Sequence, residues 1–387
     1  MEKHLSEAVR DHLATTGAEP TTGRLAAAIR AEQRLLGDSE VLELSAALRA
    51  EFTGAGPLEL LLHDPDVTDV LVNGPAEVWV DAGHGLVRTA IRFPDEQTLR
   101  RLAQRLIATA GRRLDDAAPY ADARLSGGAR LHAVLPPIAP NGTCLSLRLP
   151  RRRAFTLAEL VDKGAIPPAA AEILAALVRS RAAFLITGGT GTGKTTLLST
   201  LLGLASPAER LLLVEDSAEL RPDHPHVVRL EARPPNVEGA GGVTLDDLVR
   251  QALRMRPDRL VVGEVRGREV TTMLNALNTG HEGGCGTLHA NRAADVPARL
   301  EALACAAGLT REAVHSQLAA ALDVIVHLTR TPEGHRRVAE IRLLRRAPDG
   351  LVEALPAITF TPTGDLVTAP GAEALATRLS TRDGDTP

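Results

Sequence analysis

Apolar and polar positions recur along this chain with three different spacings, and each spacing predicts a different kind of element. Residues 1 to about 55 carry aliphatics at helical intervals, as in Val41, Leu42, Leu44, Ala47 and Leu48, with breaks near Gly17 to Gly23 and at Gly37. Two or three amphipathic helices with solvated charged faces follow from that spacing. From Gly54-Ala55-Gly56-Pro57 onward the runs shorten to Val67–Val72, Glu77–Val80 and Leu86–Phe93, with turns at Asn73-Gly74-Pro75 and Asp81-Ala82-Gly83. A helical pattern from Asp95 to Ala110 comes next. Two more strand patterns, Ala129–Leu135 and Thr143–Leu149, flank the turn at Pro140-Asn141-Gly142. This mixture predicts an α+β domain of about a hundred residues.

Pro150-Arg151-Arg152-Arg153 reads as a solvated connector, and beyond Ile166-Pro167-Pro168 the third spacing begins. A helix is expected from Ala169 to Arg179. Continuous aliphatic runs then alternate with helical stretches: Ala183–Ile186, Leu211–Val214, Leu260–Val262 and Thr287-Leu288. Buried parallel strands have that texture, so an α/β domain is predicted. Past about residue 357 Thr, Pro, Gly and Asp dominate, which predicts a loosely held tail. The expected division is a helical extension over 1–55, an α+β domain over 56–150, a linker over 151–168, the α/β domain over 169–357 and a flexible tail over 358–387.

Composition narrows the partners. A length of 387 residues suits two domains that each bury a core. The formal charge of −4 provides no basic field, and 2% aromatic residues leave few stacking platforms, so nothing here supports nucleic acid as a partner. Cys144, Cys285 and Cys305 are odd in number and widely spaced, which points to a reducing compartment rather than a disulfide framework. Met1 to Glu7 shows no apolar core of a secretory signal. Arg179 and Arg181 interrupt the longest apolar stretch, short of the roughly 18 residues a membrane span needs. The expectation is a soluble cytoplasmic protein that meets a membrane only through a partner.

The chemistry centres on Gly188-Gly189-Thr190-Gly191-Thr192-Gly193-Lys194-Thr195-Thr196, which fits Gly-x4-Gly-Lys-[Ser/Thr] between a strand pattern and a helix pattern. Glycines let successive backbone N–H groups face an anion, Lys194 reaches the β- and γ-phosphates, and the Thr195 hydroxyl can ligate Mg²⁺. Nucleoside triphosphate binding is therefore expected. Two later aliphatic runs end in acids, Glu215-Asp216 and Glu264, and the ends of parallel strands line the ligand crevice. Glu264 is the expected group to orient or deprotonate a water, and Glu215 and Asp216 would hold Mg²⁺ through its water shell.

The stretch Thr279 to Asn291 adds His281, Cys285 and His289 at intervals of four. Glycines at 283, 284 and 286 argue against one shared helix face, and the donor count is one short of a closed zinc site. A glycine loop entering a strand that carries His289 toward the γ-phosphate is the preferred reading.

In combination these stretches resemble the ATPases of the type II/type IV secretion superfamily, most closely the tight-adherence (Tad, CpaF-like) pilus assembly branch. Four signatures stand in order: the phosphate loop, the acidic box Val214–Leu220, the Walker B region Leu253–Gly267 and the His box Thr279–Asn291. The likeness covers about residues 50 to 345 and includes Val67–Gly74, Ala129–Pro137 and Leu145–Arg148. It implies a RecA-like P-loop NTPase domain preceded by an α+β, PAS-like N-terminal domain. It also implies ATP and Mg²⁺ as ligands, a hexameric ring, and an inner-membrane platform protein as partner at the inner face of the cytoplasmic membrane. Arg130 and Arg148 match arginines that the family places over the phosphates, and Glu264 takes the catalytic Walker B place. Gly263 replaces the acid of an ordinary Walker B, as is usual in the family. Two other functions stay open: a conjugation or DNA-transfer ATPase, and an ATP-binding scaffold with little turnover.

Overall fold

The computed structural model describes residues 8–9, 21–32, 36–52, 54–83, 85–125, 128–149, 153–233, 235, 240–331 and 334–380. The expectations for Met1 to Glu7, for most of the Gly17 to Gly23 break, for residues 150–152 and for the last seven residues lie outside these. The chain divides into two compact units, residues 1–151 and 152–387.

In the first unit, helices α1 (Thr22–Glu32) and α2 (Asp38–Phe52) close a small core of their own around Leu25, Ala28, Ile29, Val41 and Leu48. A short helix α3 (Glu59–His63) leads into six strands: β1 (Asp69–Asn73), β2 (Val78–Asp81), β3 (Leu86–Arg88), β4 (Tyr120–Arg124), β5 (Arg130–Val134) and β6 (Cys144–Arg148). They form one antiparallel sheet in the order β3-β2-β1-β6-β5-β4. Helix α4 (Glu96–Thr109) starts where the Asp95 carboxylate accepts from the Thr98 amide at 2.8 Å. Its Leu99, Leu102, Ala103, Leu106 and Ile107 pack on Val70, Val72, Leu131, Leu145 and Leu147. One face of the sheet is thereby buried. The period of two leaves Arg130, His132, Ser146 and Arg148 on the other face.

The second unit begins earlier than expected. Arg153 pairs with Glu159 at 2.5 Å, and helix α5 (Leu157–Asp162) opens with a Thr156/Glu159 capping box and buries Leu160. Residues 153–168 are thus folded parts of this unit, not a free linker. Helix α6 (Pro168–Arg179) then precedes β7 (Phe184–Gly188), α7 (Lys194–Leu202), β8 (Leu211–Glu215), β9 (Val227–Glu231), α8 (Leu245–Ala252), β10 (Arg259–Val265), α9 (Glu269–Asn278) and β11 (Cys285–His289). After α10 (Val296–Ala306) and α11 (Arg311–Ala321) come β12 (Val324–Arg330), β13 (Arg336–Arg346), β14 (Val352–Phe360), β15 (Leu366–Thr368) and α12 (Ala372–Ser380).

These strands make a nine-stranded sheet in the order β15-β14-β13-β12-β7-β11-β10-β8-β9. The six from β12 to β9 are parallel, and β13 to β15 extend the sheet antiparallel. Helices α8 to α11 cover one face and α5, α6, α7 and α12 the other. Burial on both faces explains the unbroken aliphatic runs. The expected loose tail from residue 358 is instead strand and helix through Ser380. The Asp323 carboxylate accepts from Arg378 at 2.8 and 2.7 Å and from the Ala183 amide at 2.8 Å, and Leu375 is buried.

Candidate active site

β7 lies at the middle of the sheet, where the strand order reverses, and its C-terminal end carries the glycine loop. Gly188 adopts φ +149°, and a Cβ there would stand 2.5 Å from the Leu328 carbonyl oxygen and 2.7 Å from Thr192 Oγ1. Only glycine fits that approach. Gly193, at φ +94°, caps the N-terminus of α7, so the helix starts directly at Lys194 with its amides aimed at the loop. Lys194 is 8% exposed, and its Nζ donates to the carbonyls of Gly188 at 3.1 Å and Gly189 at 2.8 Å. Burial lowers the Lys194 pKa, and the nearby Glu264 opposes that shift.

β11 pairs with β7 so that His289 stands opposite Gly188. His289 Nδ1 lies 3.3 Å from Lys194 Nζ, and its Nε2 lies 3.0 Å from Glu264 Oε1. An ammonium has only donors, so Nδ1 accepts from Lys194 and the ring proton sits on Nε2, facing the carboxylate. Burial, aided by the Lys194 charge, pushes the His289 pKa down and keeps the ring neutral near pH 7. Lys194, His289 and Glu264 are thereby brought into one line at the strand ends.

Glu264 lies in β10 at a register shift against β11 between Val262 and Val265, and its carboxyl meets His289 of β11. Thr287 Oγ1 donates to the Gly263 carbonyl at 2.5 Å, and the buried Glu269 carboxylate accepts from the amides of Arg266 at 2.6 Å and Gly267 at 2.8 Å. These bonds fix the backbone on both sides of Glu264.

Glu215 ends β8 and is 4% exposed. Its Oε1 accepts from the amides of Glu219 and Leu220, each at 2.9 Å, while Oε2 is buried with no hydrogen-bond partner among the described residues. Burial raises the pKa of this carboxyl. An orphaned carboxyl oxygen at a strand end of the same sheet that carries the glycine loop is a donor a hydrated hard cation could use, and Thr195, Glu215 and Asp216 fit Mg²⁺ by donor type. Asp216 is also engaged by Arg266 in an ion pair. The glycine at 263 has a steric cause here: a Cβ would stand 2.6 Å from Glu215 Cγ.

His281 and Cys285 are placed elsewhere. His281 Nδ1 meets the Ala276 carbonyl at 3.2 Å at the end of α9, and Cys285 is buried, its thiol pushed up to about 12 by desolvation. In the first unit Arg130 and Arg148 are direct cross-strand partners, and Arg148 Nε donates to Asp69 Oδ1 at 3.2 Å. Arg124 stands opposite Arg130 in the same row, a residue that motif reading misses because only strand register reveals it. Asp69 continues the row on the far side of Arg148, so an acid flanks the three aligned arginines.

Residues 51–356 match the profile of the family described as Type II/IV secretion system protein. The chain belongs to that family. Among its relatives is the Mycobacterium tuberculosis protein Rv3659c, whose name assigns it provisionally to conjugal transfer; the two are 59% identical over 327 residues, 83% of this chain and 93% of the relative. The conjugal transfer protein TrbB of Rhizobium radiobacter is 32% identical over 287 residues, 72% of this chain and 84% of TrbB. The crystal structure of the ATPase DotB of Legionella pneumophila matches with a TM-score of 0.53 at 20% identity, over 73% of this chain and 78% of DotB. That likeness shows a shared fold. None of these matches separates the tight-adherence branch from the rest of the family.

Proposed function

We propose that the protein binds ATP at the β7–α7 loop, hydrolyses it, and acts as a hexameric motor for pilus assembly or protein secretion at the cytoplasmic membrane. The observation that carries the reading is the unbroken contact from Lys194 through His289 to Glu264. On binding, Lys194 exchanges the Gly188 and Gly189 carbonyls for β- and γ-phosphate oxygens, and the amides of Gly189 to Thr196 supply the rest of the cradle. Glu264 orients the attacking water and draws off its proton, and neutral His289, set between acid and ammonium, reports on the γ-phosphate. Mg²⁺, held by Thr195 and through water by Glu215 and Asp216, would supply charge neutralisation of the phosphates. By the family resemblance, Arg130 and Arg148 would add guanidinium charge over the γ-oxygens.

Replacing the chromosomal gene with a Lys194→Ala copy tests the transport role. Loss of surface fibres or of secreted protein supports the motor. A second reading, DNA transfer, is favoured by the names of the relatives Rv3659c and TrbB. Loss of DNA transfer with fibres and secretion intact would establish it and remove the first.

A further inference from the structure

We infer that Arg336 is a nucleotide-binding residue of this site, holding α- and β-phosphate oxygens from the flank of the glycine loop opposite His289. The inference rests on reading the β7–α7 loop as a nucleotide site. β12 runs parallel to β7 with Leu328 opposite Gly188, and β13 returns antiparallel with Val338 opposite Leu328 and Arg336 opposite Arg330. The first residues of β13 therefore stand at the strand ends that carry the loop. Leu328 and Val338 are buried with Leu197, Leu198 and Leu201 of α7, so the period of two puts Arg336 on the same face as that helix. Its Cδ lies 3.7 Å from the point a Gly193 Cβ would occupy, and Gly193 caps the N-terminus of α7.

Arg336 is half-buried and, among the described residues, makes no hydrogen bond or ion pair. Its neighbours are committed: Arg330 Nε donates to the Gly334 carbonyl at 3.2 Å, and Arg337 Nη1 donates to the Thr361 carbonyl at 2.6 Å. Arg336 thus presents a fork of donors, partly withdrawn from water, beside the amides that cradle phosphate. Strand order decides which phosphates it meets. β11, with His289, flanks β7 on one side, and β12 with β13 beyond it flanks β7 on the other. With the γ-phosphate toward His289 and Glu264, the β12 side receives the α and β groups. ADP and ATP share those groups, so Arg336 binds both alike and adds ground-state affinity rather than transition-state stabilisation.

The test measures ADP and ATP affinity by calorimetry, together with steady-state hydrolysis, for wild type, Arg336→Ala and Arg345→Ala in the full chain. Arg345 lies toward the far end of β13, paired with Glu353 at 2.7 Å, and its removal changes the net charge equally. Arg336→Ala should bind ADP and ATP each roughly 10- to 100-fold more weakly, raise KM to match and leave kcat within about twofold. Arg345→Ala should bind both as wild type does. Wild-type affinity for ADP in Arg336→Ala, a loss confined to ATP, a fall in kcat at unchanged KM, or an equal loss in Arg345→Ala would overturn the inference. Should Arg336→Ala not fold, Arg336→Gln, which keeps the stem and removes the charge, decides by the same measurements. Wild type that binds neither nucleotide, or binds them no better than Lys194→Ala, defeats the reading of the loop itself, and the inference falls with it.

Discussion

At the scale of single residues the site depends on small positions as much as on charged ones. Gly263 has no side chain because the Glu215 stem occupies that space, 2.6 Å from where a Cβ would sit. Gly263→Ala should therefore cost about 1–3 kcal/mol in denaturant unfolding and lower turnover by displacing Glu215. A stability and a turnover both equal to wild type would show that Glu215 moves freely. His289 yields a pH prediction. Burial and Lys194 disfavour its charged form, so the neutral ring persists below the ordinary imidazole value of about 6.5. If the neutral ring is needed, kcat should hold from pH 8 to about 6.5 and fall only at lower pH, with a midpoint below that of a free imidazole. A midpoint above it would exclude His289 as the group. Lys194, Glu215, Glu264 and His289 were legible because glycines and strand-end acids mark them in the chain. Arg124 and the Gly263–Glu215 contact were not, because they arise from register between strands far apart in sequence.

At the scale of elements, β7, β8 and β10 are readable because burial on both faces writes an unbroken aliphatic run. The edges of the sheet follow a different rule. β9 is a half-exposed Val-Val-Arg-Leu-Glu, β13 interleaves Arg with Val, Ile and Leu, and the three residues of β15 are exposed and held by pairing with β14. β15 is only three residues long and sits among Thr, Pro, Gly and Asp, so the stretch past residue 357 reads as a tail although it folds as strand and helix. The packing of α12 is itself testable. Leu375 is 1% exposed in the core beneath α6 and α7, so Leu375→Ala should destabilise the protein by roughly 2–5 kcal/mol. An unchanged denaturation midpoint would mean that this helix is not part of the folded unit.

At the scale of the whole molecule the account requires two further properties, assembly and turnover. Among the described residues no helix is long and apolar enough to cross a membrane. Light scattering of a Glu264→Gln variant with ATP should report a sixfold assembly, and a mass that stays at one chain under those conditions would remove the ring. Turnover is the central claim. The direct measurement is single-turnover release of phosphate from bound ATP, in wild type and in Glu264→Gln, with the affinity for ATP determined for both. The line from Lys194 through His289 to Glu264 predicts near-equal affinity and a rate of phosphate release at least roughly a hundredfold lower in Glu264→Gln. Equal rates in the two proteins would contradict it and leave an ATP-binding scaffold.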